Sequence, residues 1–121
     1  MPTATILSKI KERFPGAVLD ITEFADEHIL HVQGQDILLV LTELKVDGFN
    51  FLADLTAIDN LNLGGFERFA VSYHLLSHKT TERLTVKAYI PEEKPSLPSV
   101  ESLWKTADWQ EREVFDLYGI K

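Results

Sequence analysis

The residues best suited to chemistry crowd toward the end of the chain, in Trp109-Gln110-Glu111-Arg112-Glu113-Val114-Phe115-Asp116-Leu117-Tyr118-Gly119-Ile120. Glu111, Glu113 and Asp116 could serve as a general acid/base cluster. No nucleophile or oxyanion hole stands beside them, however, and acids at a helix start are favoured by the helix dipole alone. As a helix the segment would place Asp108 at the N-cap and Glu111 three residues on, an acidic capping box, with Gly119 where a C-terminus needs positive φ. Trp109, Glu113, Asp116 and Ile120 would share one side, and Arg112 would reach Asp116 one turn later. A surface at once charged and apolar suits docking against another surface better than plain burial or plain solvation.

Other candidates are weaker. His28 and His31 stand three apart in a predicted strand, so they face opposite sides and cannot chelate together. His74 and His78 would share a face only if a strand ran unbroken through Ser77. Asp54 and Asp59 flank a predicted strand, where capping the sheet or pairing with Arg68 and Lys87 is the plainer role. Gly64-Gly65 reads as a turn. Trp104 and Trp109 read as core or interface anchors. The chain has no cysteine, which removes disulfides, thiolate metal sites, iron–sulfur ligation by the usual ligands and cysteine nucleophiles. No phosphate-binding, nucleophile-elbow or zinc-protease motif occurs. The sequence thus nominates no catalytic, cofactor-binding or metal-ligating residue, and the isolated chain is expected to be colourless.

The elements that must position these residues fit one domain over residues 1–121, with 45% hydrophobic and 26% charged residues. A net charge of −7 opposes nucleic-acid binding and adhesion to anionic lipid. No apolar run is long enough for a bilayer, and the N-terminus lacks a signal-peptide pattern, so a cytoplasmic protein without direct membrane insertion is expected. Ile6, Leu7, Ile10 and Phe14 form a helical stripe closed by Pro15-Gly16. Ala17–Phe24 and Glu27–Val32 read as a hairpin around Ala25-Asp26. A second helix is predicted from Asp36 as N-cap to Gly48, its buried face formed by Ile37, Val40, Leu41 and Leu44. Asn50–Asp59, apolar on both faces, predicts a central strand. Phe69–Leu76 and Leu84–Ile90 alternate strictly and predict a second hairpin. Pro91–Pro98 crosses irregularly, Ser99 caps a short turn, and Asp108 opens the terminal helix. The order α-β-β-α-β-β-β-α-α implies an α+β fold: a single mixed or mostly antiparallel sheet with helices packed on it.

Phe51-Leu52-Ala53-Asp54-Leu55-Thr56-Ala57-Ile58-Asp59, Arg68–Leu75, Leu84–Lys87 and the closing Trp109-x-Glu111-Arg112-Glu113-x-x-Asp116-Leu117-x-Gly119-Ile120 resemble the 30-kDa subunit family of NADH:quinone oxidoreductase, respiratory complex I. The resemblance covers roughly Phe49 to Ile120. It implies a hydrophilic-arm subunit holding no flavin, cluster or quinone itself. Such a subunit packs on the 49-kDa-type subunit and other hydrophilic-arm subunits, peripheral on the cytoplasmic side of the inner membrane, and supports electron transfer from NADH to quinone. Trp109, Glu111, Arg112, Glu113, Asp116, Leu117 and Gly119 would then form the signature and partner surface. The same module occurs in related membrane-bound hydrogenases and ferredoxin-linked complexes, which is the alternative assignment; a small stand-alone enzyme using Glu111, Glu113 and Asp116 is a further one. Family members continue past the Gly-Ile with a His- and Arg-containing segment, whereas this chain stops at Lys121. A truncated, shorter or separately encoded tail is expected. It would leave Trp109, Phe115, Leu117 and Tyr118 as an apolar patch through which the isolated chain self-associates.

Overall fold

The computed structural model describes residues 3–24, 27–59, 69–77, 79–90, 97–104, 107 and 110–112. The first helix, α1 (Thr3–Arg13), buries Ile6, Leu7 and Ile10, the stripe that its spacing predicts. It closes at Pro15-Gly16, where Ala17 N–H donates to Phe14 O at 3.0 Å. Strands β1 (Val18–Phe24) and β2 (Glu27–Gln33) then pair antiparallel, with a register irregularity between Val18 and Asp20.

A 3-10 turn over Gly34–Asp36 leads into α2 (Ile37–Val46). Asp36 occupies the N-cap, as its residue type suggests, but makes no side-chain capping bond. The preceding 3-10 turn sets Asp36 at φ −102°, ψ 7°, outside the extended geometry from which a capping carboxylate normally reaches N2 or N3. The other end of α2 is fully capped. Gly48 has φ 117°, its N–H donates to Lys45 O at 3.3 Å, and Phe49 N–H donates to Leu44 O at 3.0 Å. This is a Schellman closure, completed by the burial of both Leu44 and Phe49.

Strands β3 (Phe51–Asp59), β4 (Phe69–Leu76) and β5 (Arg83–Ile90) form an antiparallel meander. The five-stranded sheet has the order β1-β2-β5-β4-β3, with β2 and β5 parallel. The α+β class and the mixed, mostly antiparallel sheet are therefore observed. The central position is not held by β3. That strand lies at an edge, and β5 is in the middle, because α2 carries the chain from β2 to the far side before the meander returns. Leu52 and Leu55 of β3 are buried, the shift between Leu52 and Asp54 keeping both on the core face, while Phe51 stays 41% exposed.

Leu30 and Val32, Leu84, Val86, Ala88 and Ile90, and Val71, Tyr73 and Leu75 build the core face under α1 and α2. α1 is tied to α2 by Lys9–Asp47 at 2.9 Å and Arg13–Glu43 at 3.3 Å. Of the two terminal helices expected, the first is a turn over residues 101–103. The second is seen as helical residues 107 and 110–112, so helical structure is present by Ala107, ahead of the Asp108 start.

Candidate partner interface in the C-terminal segment

The C-terminal segment is locked to the domain by contacts that its sequence does not advertise. Leu97, Val100 and Ala107 join the hydrophobic core. Lys45 Nζ, on the last turn of α2, donates to Leu103 O at 2.5 Å and sits 5.4 Å above the Trp104 ring. Trp104 Nε1 donates to Asn50 O at 2.9 Å, just before β3. The indole thus anchors the segment to α2 and the sheet at once, fulfilling its predicted role through both its apolar body and its N–H.

Ser99 caps the 101–103 turn as expected, its Oγ accepting from Glu101 N–H at 3.2 Å. The same hydroxyl donates to Glu111 Oε1 at 2.7 Å, and Val100 N–H donates to Glu111 Oε2 at 3.1 Å. Glu111 is only 4% exposed. Its carboxylate therefore clasps the start of a turn eleven and twelve residues earlier; Asp108, the other half of the expected capping box, lies outside the described residues. Arg112, the next residue, is exposed. Beneath the clasp, Tyr73 is fully buried on the core face, and its hydroxyl has no hydrogen-bond partner among the described residues. Burial, reinforced by the Glu111 carboxylate, pushes the Tyr73 phenol well above its usual range.

Among the sequence-nominated interface residues, the structure describes Glu111, which is buried, and Arg112, which is exposed. Trp109, Glu113, Asp116, Leu117 and Gly119 lie outside the described residues, as do Phe115 and Tyr118. Asp54 accepts from Leu55 N–H at 2.8 Å beside the strand irregularity, a local cap, and its register partner is His74 rather than the Lys87 row. Asp59's side chain and Arg68 lie outside the description.

The histidines follow strand geometry. His31 packs on the sheet face opposite the helices, where Thr22 Oγ1 meets its Nε2 and Tyr89 Oη meets its Nδ1, each at 2.8 Å. Tyr89 also stacks on the ring, with centroids 5.7 Å apart. Burial, then Lys87, lowers the His31 pKa, partly offset by Asp20. Burial and Asp20 raise that of Tyr89. Two hydroxyls suit a neutral imidazole, which donates at one nitrogen and accepts at the other. Sequence reading missed this network because only the β2–β5 register brings residues 31 and 89 together. His74 bonds Thr85 Oγ1 at 3.2 Å, and His78 lies outside the described residues. Among the described residues, no three carboxylates or histidines are placed to share a metal ion, and no helix is long and apolar enough to cross a membrane.

Residues 30–121 match the family described as "Respiratory-chain NADH dehydrogenase, 30 Kd subunit". The chain belongs to this family. The C subunit of NADH-quinone oxidoreductase from Citrifermentans bemidjiense is 46% identical over 113 residues, a match covering 93% of this chain and 69% of that protein. The corresponding C subunit of Roseiflexus sp. is 37% identical over 123 residues, covering 99% and 70%. Among solved structures, the trypsin-resistant fragment (1-134) of Nqo5 superposes with a TM-score of 0.85 at 32% identity, covering 98% of this chain and 93% of that one. A polypeptide of the membrane-bound sulfane sulfur reductase, an archaeal respiratory membrane complex, superposes with a TM-score of 0.79 at 25% identity, covering 98% and 68%. This 30-kDa-type subunit therefore belongs with the NADH-quinone oxidoreductases of complex I, and its partners are other subunits of a complex.

Proposed function

We propose that the chain is a structural and assembly subunit of the hydrophilic arm of an NADH:quinone oxidoreductase, holding no flavin, cluster or quinone itself. It docks on the 49-kDa-type subunit through its C-terminal segment, on the cytoplasmic side of the membrane. The observation that carries this reading is the split between Glu111 and Arg112. Glu111 bonds inside the chain, tying residues 110–112 to residues 99 and 100, while Trp104 ties the same segment to the start of β3. Arg112, the next residue, is exposed. A guanidinium so placed offers a planar, charge-assisted donor set to a carboxylate across an interface, where paired charges set register. Trp109, Glu113, Asp116, Leu117 and Gly119 complete the proposed surface. The absence of cysteine from the sequence accords with a subunit that does not ligate a cluster.

The test is Arg112→Ala in the assembled complex. Loss of the 49-kDa-type partner on purification, with reduced quinone reduction and an intact isolated fold, is the expected result; unchanged assembly and turnover sink the proposal.

The likeness to a polypeptide of the sulfane sulfur reductase complex supports a second reading, in which the parent complex is a related membrane-bound oxidoreductase with another electron donor. The gene neighbourhood of the large subunit distinguishes the two. A stand-alone acid/base enzyme is disfavoured, because Glu111 is buried and both its oxygens accept hydrogen bonds within the chain.

A further inference from the structure

Both outer strands of the sheet are built alike. Among the described residues no strand pairs beyond β1 on one side or β3 on the other, so each presents a row of main-chain N–H and C=O groups to its surroundings. In β1 the register shifts between Val18 and Asp20, with Leu19 as the extra residue. In β3 it shifts between Leu52 and Asp54, with Ala53 as the extra residue. The residue that resumes pairing is an aspartate in both strands. Its Oδ1 accepts from the N–H of the next residue at 2.8 Å, Ile21 in β1 and Leu55 in β3. Val18-Leu19-Asp20-Ile21 and Leu52-Ala53-Asp54-Leu55 are thus one arrangement used once on each edge.

Core packing accounts for the extra residue but not for the acid. Each shift lets two apolar residues three apart serve the core, Val18 with Ile21 and Leu52 with Leu55. Any exposed side chain could stand between them. Aspartate is disfavoured in strands, yet it stands exposed at both positions. Along an antiparallel strand, residues turn their main-chain groups alternately to the neighbouring strand and away from it. On an edge strand the groups turned away are those that an incoming chain must engage. The carboxylate takes one such N–H on each edge and stands where an incoming carbonyl would have to come. The local bend of the bulge spoils the flat template further.

We propose that Asp20 and Asp54 are edge guards, which keep the sheet from pairing strand to strand with a second copy of this chain. The test uses the full chain carrying Leu39→Lys and Val46→Lys, so that the exposed apolar residues of α2 do not contribute to association. Asp20→Thr with Asp54→Thr keeps strand propensity but leaves a hydroxyl too short to reach the next N–H. Asp20→Asn with Asp54→Asn removes the same charges and keeps the carbonyl acceptor. Two copies paired along one edge meet its guard twice, so the threonine pair should associate at concentrations about tenfold lower, or lower still, than the asparagine pair. Sedimentation over a concentration series reads this, with circular dichroism checking that each chain is folded. Asp20→Thr or Asp54→Thr alone opens one edge and should stop at a dimer, because pairing along a single edge is closed by a two-fold axis. The double variant opens both edges and should grow beyond the dimer. If a threonine variant does not fold, Asp20→Ala and Asp54→Ala, which equally lack an acceptor, take its place. A monomeric acceptor-free pair, equal association of the asparagine pair, or growth of a single variant beyond the dimer each overturns the proposal.

Discussion

At the scale of single residues, Glu111 carries the heaviest demand, because a buried carboxylate persists only where donors replace the water it has lost. Ser99 and Val100 are those donors. Truncating Glu111 to Ala strands the buried Val100 N–H, at roughly 1–3 kcal/mol, while the exposed Ser99 hydroxyl can turn to water. The expected result is a loss of about 1–3 kcal/mol in urea denaturation, and Glu111→Gln, which can still accept from Val100 and donate to Ser99, should recover more than half of it. His31 makes a separate, pH-linked prediction. Its folded-state pKa is held below the 6.5 of the free side chain, so as pH falls through that value the unfolded chain binds a proton before the folded one does. The stability attached to neutral His31 is therefore complete above that value and declines below it until the folded pKa is reached. Ring-proton titration should show His31 moving up in Lys87→Met, which removes a repelling cation, and further down in Asp20→Asn, which removes the attracting carboxylate. A His31 that titrates at the free value of 6.5 in all three proteins contradicts the buried network.

At the scale of elements, turn chemistry decides where α2 begins and ends, and two glycines show how. Gly48 at φ 117° lets the Schellman closure form. An alanine there should cost about 1–2 kcal/mol from backbone strain alone, since little surrounds its would-be Cβ. Gly34 is governed by space instead: a Cβ would meet Tyr89 O at 2.8 Å and Leu97 Cδ1 at 3.0 Å. Gly34→Ala should thus push the 3-10 turn off β5 and lower the melting temperature more than Gly48→Ala does, an ordering that thermal denaturation checks directly. The same contrast shows what was legible beforehand. Leu84, Val86, Ala88 and Ile90 alternate because the pleat has period two, so β5 could be read residue by residue. Its central position could not, since that follows from the parallel β2–β5 pairing made only after α2 has crossed the sheet. β3 misled because apolar residues on both faces also occur at an edge where a register shift re-aims the strand. The signature string was legible as a family motif, but the inward turn of Glu111 was not, because it depends on a loop eleven and twelve residues earlier.

At the scale of the whole molecule, the question is what the domain leaves uncovered when no partner is present. α2 is apolar on nearly every side, which is unusual for a helix lying on the surface of a domain. Leu39 is 56% and Val46 77% exposed, and their spacing of two helical turns puts them on one stripe. Thr42 lies between them and turns its hydroxyl back to Leu38 O at 2.6 Å, which leaves its methyl to extend the stripe. Burying such a stripe gains roughly 25 cal/mol per Å², enough to favour association of an isolated chain but not to guarantee it against lost translational freedom. The net charge of −7 opposes any pairing of two identical copies. Salt weakens that repulsion, because the screening length falls from about 30 Å at 0.01 M to about 8 Å at 0.15 M, while apolar burial is little affected. Isolated chain should therefore self-associate more strongly as salt is raised, the reverse of an association driven by ion pairs. Leu39→Lys with Val46→Lys should abolish the effect while changing monomer stability by only about 0.5 kcal/mol per site, as is usual for exposed positions. Sedimentation across a range of concentrations at low and moderate salt reads both outcomes. A chain that stays monomeric throughout shows that the exposed stripe needs no partner, and association that weakens with added salt assigns the contact to charges rather than to α2.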